Sequence, residues 1–170
     1  NLIANEWLEK AAAQGDISSL KELSAIYRSG ELVKKDLVKA FDYQLKAAEL
    51  GDSEAQIRAS LDYYFGRGVA KNYTAHIQWL ERAINNENVS ADDMALAQLF
   101  LGDAYYLGSG IPENLVLAYA WFNLAMANGV KAAELQKALE RMHREVERKL
   151  TASQLNEAQQ LSANWKQGQP

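Results

Sequence analysis

"YYLGSGIPENLVLAYAWFNLAMANG", residues 105–129, reads as the end of one helix, a glycine turn and a second, apolar helix. Its skeleton of Tyr, Gly-x-Gly, Asn, Ala, Trp, Ala and Gly returns upstream. Residues 63–87 are "YYFGRGVAKNYTAHIQWLERAINNE" and residues 27–51 are "YRSGELVKKDLVKAFDYQLKAAELG". Trp7, Tyr43, Trp79 and Trp121 stand 36, 36 and 42 residues apart, and Ala11, Ala47, Ala83 and Ala125 keep the same intervals. Tyr27, Tyr63 and Tyr105 match in turn, as do Gly30, Gly66 and Gly108. Recurrence at such a period marks stacked supersecondary units, so it decides the fold.

Each unit reads as two antiparallel helices, A and B. Helix A opens at Asp16 or Asp52, whose carboxylates suit the free amide hydrogens of a first turn. In the third unit, Ser90 and Asp93 have the spacing of a capping box. Helix A then sets a small residue, a Leu or Ala, and a Tyr on one face, as in Ala97, Leu101 and Tyr105. Glycine ends it, because a left-handed cap wants no Cβ. Helix B starts at Asp36, Asn72 or Asn114. The six extra residues of the last interval fall in the loop "NNENVSADD" (85–93), where length is tolerated. The grid predicts an all-α, right-handed superhelical solenoid of antiparallel helix pairs. Its expected parts are an unpaired helix B at 1–15, repeats at 16–51, 52–87 and 88–129, and capping helices within 130–170, about 131–149 and 151–167.

The pattern A-x3-LG-x2-YY-x-G-x-G-x3-(D/N)-x3-A-x2-W-x3-A-x3-G resembles the Sel-1-like repeat, an α/α relative of the tetratricopeptide repeat. Residues 97–129 match it most fully. The second unit departs at His76 and Glu87, the first at Ser19 and Ser24. The tail "ALERMHREVERKLTASQLNEAQQLSANW" (138–165) resembles the helix pair that ends many bacterial members. The resemblance implies a protein- or peptide-binding array rather than an enzyme.

Composition narrows the alternatives. With 48% hydrophobic residues and a net charge of −4, the chain can bury a core and carries no basic stripe for nucleic acid. No apolar run approaches the roughly 18 residues of a membrane span. The absence of cysteine removes disulfides, thiol catalysis and thiolate metal sites. His76 occupies a core position of helix B. His143, between Glu140 and Glu147, has a spacing open to metal, but Arg141, Arg144 and Arg148 favour ion pairs along the helix. Ser18-Ser-Leu-Lys21 reproduces the S-x-x-K spacing of serine acyl-enzymes without the partner motifs. The loop glycines are explained as helix caps, with no Lys-Ser/Thr pair to hold phosphate. No catalytic residue, metal or cofactor is expected.

A partner is expected in the concave groove lined by the A helices. If Leu101 and Tyr105 point inward, Leu99, Phe100, Asp103 and Tyr106 point to the groove, with Ile57, Arg58, Leu61 and Tyr64 their equivalents. The competing reading packs Ile57, Leu61, Leu99 and Phe100 between repeats. The expected site is Arg58, Leu61, Tyr64, Leu99, Asp103 and Tyr106, holding a protein or peptide. A narrower expectation is a bacterial envelope- or secretion-associated partner, such as an immunity or assembly factor. The alternatives are a hydrolase of cell-wall or β-lactam substrates, tested at Ser18 and Lys21, and a structural spacer within a longer repeat protein. The grid puts the first helix-B cap just before Asn1, so the chain is expected to begin in mid-repeat and to offer an open N-terminal end for self-association. The compartment, periplasm or cytoplasm, stays open.

Overall fold

Chain direction changes where the capping residues stand. The computed structural model describes residues 2–168, with side chains from residue 5 onward; Asn1, Gln169 and Pro170 lie outside the described residues. Among the described residues there are nine helices and no strand: α1 (Leu2–Ala13), α2 (Ile17–Ser29), α3 (Leu37–Glu49), α4 (Ser53–Phe65), α5 (Tyr73–Ile84), α6 (Ala91–Leu107), α7 (Leu115–Asn128), α8 (Ala133–Lys149) and α9 (Ala152–Asn164).

Asp16 and Asp52 accept from the amides of Ser19 at 2.8 Å and Ala55 at 2.7 Å. Ser90 accepts from Asp93 at 3.1 Å. At the B helices, Asp36, Asn72 and Asn114 accept from Lys39, Ala75 and Leu117 at 3.0, 2.9 and 3.0 Å. Thr151 and Gln154 form a reciprocal capping box at α9. Each such cap contributes about 1 kcal/mol. The turns within the pairs are closed by one repeated bond: the amides of Asp36, Asn72 and Asn114 donate to the carbonyls of Tyr27, Tyr63 and Tyr105 at 2.9, 3.0 and 2.9 Å. The sequence grid is therefore also a hydrogen-bond grid.

Two compact units partition the chain, Asn1–Trp79 and Leu80–Pro170, and the division falls inside α5. In the first, α2 packs on α1 and α3, and α3 on α4. Its core holds Leu20, Leu23, Tyr27, Ala40, Ala47 and Trp79. In the second, α7 packs on α6, α8 and α9, around Leu99, Ala118, Phe122, Ala125, Leu139 and Val146. Burying each large apolar side chain contributes about 1.5–3 kcal/mol.

Small residues set the distance between helices A and B. A Cβ on Gly102 would stand 2.6 Å from the Phe122 ring. Ser24 occupies the equivalent position in the first repeat, and its Oγ donates to the Ala40 carbonyl at 2.8 Å.

The aromatic ladder is uneven. Trp79 is buried, whereas Tyr43 and Trp121 are half-buried. Trp7 is 67% exposed, so the repeat position that buries Trp79 leaves its first member open. Helix α1 meets the core through Leu8 and Ala12, leaving the Trp7 ring beneath the Lys10 ammonium at 5.0 Å.

Candidate functional site

In the first unit, Arg58 is exposed and pairs along its own helix with Glu54 at 2.9 Å. Glu54 also receives the Lys21 ammonium. That hydrogen bond, helped by Arg58, holds its carboxyl below the ordinary value despite burial. Leu61 and Tyr64 are half-buried. The Tyr64 ring meets Phe65 edge-on at 4.9 Å, Tyr73 at 5.4 Å and His76 at 5.0 Å. Tyr64 is thus the centre of an aromatic cluster spanning α4 and α5.

In the second unit, Tyr106 donates its hydroxyl hydrogen to Glu145 of α8. Lys149 bonds the same carboxylate at 3.2 Å and lies 5.1 Å over the Tyr106 ring. Asp103, one turn earlier on α6, is half-buried. Burial, with no offsetting hydrogen bond or cation among the described residues, raises its carboxyl pKa. An unpaired, partly desolvated carboxylate is costly to a fold.

Leu99 is corrected as a surface anchor. It is 2% exposed and belongs to the cluster that includes Leu139 and Val146 of α8. Ile57, at 4% exposure, is likewise interior. Both A helices bury more than one face, so a residue off the Leu101 row is still covered.

His76 is a core residue, its Nδ1 3.0 Å from the Ser60 carbonyl. Burial pushes its pKa down, against the pull of that hydrogen bond. The His143 ring stacks on Tyr119 at 4.4 Å, and its Nε2 is 2.7 Å from the Asn123 side-chain oxygen. No group of three or more metal-ligating side chains gathers among the described residues. Ser18 is exposed, while the Lys21 ammonium is held by Glu54 and by Asp52 at 3.3 Å. Burial alone would lower the Lys21 pKa, but the two carboxylates outweigh it and raise the value, the wrong direction for a base.

Sequence reasoning missed Asp62. It is 1% exposed and receives Arg28 in a two-bond fork at 2.9 and 2.7 Å, with Arg67 at 3.1 Å. No periodicity links positions 28, 62 and 67, so nothing local signalled the cluster. It also missed Trp165, whose ring meets Trp121 edge-on at 5.7 Å.

With that geometry in place, comparison with known proteins identifies four matches to the Sel1 repeat, at residues 2–16, 18–52, 53–88 and 95–130. A chitin synthase regulator of Saccharomyces cerevisiae is 32% identical over 133 residues, 76% of this chain but 18% of that protein. Among solved structures, a protective antigen of uropathogenic Escherichia coli with an SLR fold matches at TM-score 0.74 and 32% identity, over 94% of this chain and 32% of that one. A Sel1 repeat protein from Oxalobacter formigenes matches at TM-score 0.63 and 34% identity, over 79% and 95%. The chain thus spans about a fifth of the curated relative and about a third of the E. coli antigen. Repeats of this kind are generally protein-interaction modules.

Proposed function

Because the chain belongs to the Sel1 repeat family, we propose that it is a non-enzymatic interaction module that holds a peptide or protein on the exposed rows of its A helices. Asp103 carries this reading. A half-buried carboxylate without a counter-ion among the described residues is a standing cost to the second unit, and a cationic group from a partner would relieve it. Tyr106, already oriented by Glu145 and Lys149, stands beside it as a rigid anchor that loses little side-chain freedom on binding. In the first unit, Arg58, Leu61 and Tyr64 offer one cation, one aliphatic and one aromatic group. Leu99 supports this surface from beneath. A bacterial envelope or secretion partner is the narrower form of the proposal, and the E. coli antigen among its structural relatives favours it.

The test begins with a partner isolated from lysate and turns on calorimetry. Asp103→Asn should leave the fold as stable or more stable at neutral pH, while weakening binding by more than about 1 kcal/mol. Tyr64→Ala and Tyr106→Ala should each weaken it by a similar amount. Undiminished affinity in all three variants would remove the A-helix rows from the binding surface.

A further inference from the structure

A second surface, lined by neither Asp103 nor Tyr106, lies in the same Leu80–Pro170 unit, on α7 and α9. It is an open groove of about 490 Å³, within the range of roughly 300–1,000 Å³ typical of ligand sites. Leu117, Leu124 and Leu161 give it aliphatic walls, and Trp121, Trp165 and Tyr105 give it aromatic ones. The two indoles stand at 68° to each other, so the groove presents aromatic faces in two directions.

The aromatic wall is fixed in advance. Trp165 follows the last turn of α9, and the residues after it are tied to the loop after α5. Gln167 donates to the Asn86 carbonyl at 2.8 Å, and the Gly168 amide donates to the Asn85 side-chain oxygen at 3.1 Å. A wall held before the ligand arrives lowers the entropy lost on binding.

Charge selects the occupant. No Lys or Arg lines the groove, and its one carboxylate is Glu157, with Gln160 and Asn164 as neutral hydrogen-bonding groups on the rim. Glu81 lies close enough to act on the Tyr105 hydroxyl. Electron-rich ring faces beside a carboxylate attract a cation carried on an apolar stem. The geometry points to the α7–α9 groove as a docking site for a peptide segment that lays an arginine, flanked by aliphatic residues, against the Trp121–Trp165 pair. The guanidinium lies over an indole face with Glu157 as counter-ion, and the flanking residues cover the leucines.

Three capped tripeptides test this on the full chain: acetyl-Leu-Arg-Leu-amide and its citrulline and glutamate counterparts. The indole N–H resonances of the four tryptophans report where each one binds. So small a probe should bind at roughly millimolar strength. The arginine peptide should shift Trp121 and Trp165 while leaving Trp7 and Trp79 in place. The citrulline peptide, equal in shape but uncharged, should bind about fivefold or more weakly, and the glutamate peptide should not bind. Trp165→Ala should abolish the shift at Trp121. Glu157→Gln, a conservative change on an exposed side chain, should weaken only the arginine peptide, by about threefold. Equal binding of the arginine and citrulline peptides, no indole shift at saturation of solubility, or shifts confined to Trp7 or Trp79 would each overturn the proposal. Tetramethylammonium binding as tightly as the arginine peptide would also overturn it, since the groove would then be a small-cation site. These outcomes are independent of Asp103→Asn, so either surface can fail without the other.

Discussion

A methyl group on Gly68 would stand 1.9 Å from the Leu37 carbonyl oxygen and 3.1 Å from the Phe41 Cβ. The residue also holds φ +75°, so a side chain there meets two separate penalties. Gly51 has φ +92° with nothing within 4 Å of its added Cβ, and so isolates the backbone penalty alone. Gly51→Ala should cost about 1 kcal/mol and Gly68→Ala more than about 3 kcal/mol, because the obstacle at Gly68 is backbone at the start of α3 that cannot step aside. Urea unfolding of the two variants checks this, and equal losses would show that the α4–α5 loop shifts freely. The sequence marked both positions as turn glycines but could not rank them, since the ranking comes from an element 31 residues away. Asp62 is the same lesson in charge. Its fork to Arg28 joins α2 to α4, and Arg28→Ala, by stripping a buried carboxylate of its best partner, should cost about 3 kcal/mol in the same assay.

At the level of the helix, what was legible followed from chemistry that acts over a few residues. Asp16, Asp52 and Ser90 cap the helices they were expected to cap, and Gly30, Gly66 and Gly108 end α2, α4 and α6, because capping needs only a side chain and the amides of the next turn. The faces of those helices were less legible. Leu99 and Ile57 share a repeat position and were placed on the groove, yet both are interior, because α2, α4 and α6 carry apolar contacts on more than one side. Sequence spacing tells which residues share a face, not how many faces a neighbour will cover. Arg58, Asp103 and Tyr106 do reach the surface at least in part, but the tie from Tyr106 to Glu145 crosses 39 residues and has no local signature. Gly102 tests the packing side of this argument. Alanine is favoured over glycine inside a helix by about 1 kcal/mol, so a helix judged alone would gain from Gly102→Ala. The Phe122 ring at 2.6 Å reverses the sign: overpacking of this kind costs about 1–3 kcal/mol, and the variant should be less stable overall. A rise in melting temperature for Gly102→Ala would mean that α6 and α7 can separate without loss.

For the whole chain, the two histidines give acid stability a definite sign. Burial lowers the pKa of His76, opposed by its hydrogen bond to the Ser60 carbonyl, and lowers that of His143, opposed by the Glu147 charge. A depressed folded value means that the unfolded chain takes up the proton first as pH falls. Stability contributed by the neutral rings is therefore complete above the ordinary histidine value, about 6.5, and drains away as pH drops from there toward the folded values. Each histidine contributes a slope of at most about 1.4 kcal/mol per pH unit in that window. The carboxylates of Asp16, Glu54 and Glu145 are lowered as well, by hydrogen bonds from Ser19, Lys21 and Tyr106 respectively, so the stability they contribute is complete above the ordinary carboxylate value and drains away as pH falls through it toward the folded values. Asp103 runs the other way, because burial raises its pKa and acid relieves the cost of its charge. Between about pH 6.5 and 5 the histidines therefore dominate, and unfolding midpoints in urea should fall across that interval. His76→Ala separates the contributions. It restores the residue found at the equivalent positions Ala40 and Ala118 and leaves a cavity, so the variant should be less stable at pH 7. Its midpoint should nevertheless fall less steeply with acid than that of the parent chain, and adding His143→Gln should remove most of the remaining slope. A parent chain whose midpoint holds constant from pH 7 to 5 would show that neither ring is kept neutral by its surroundings.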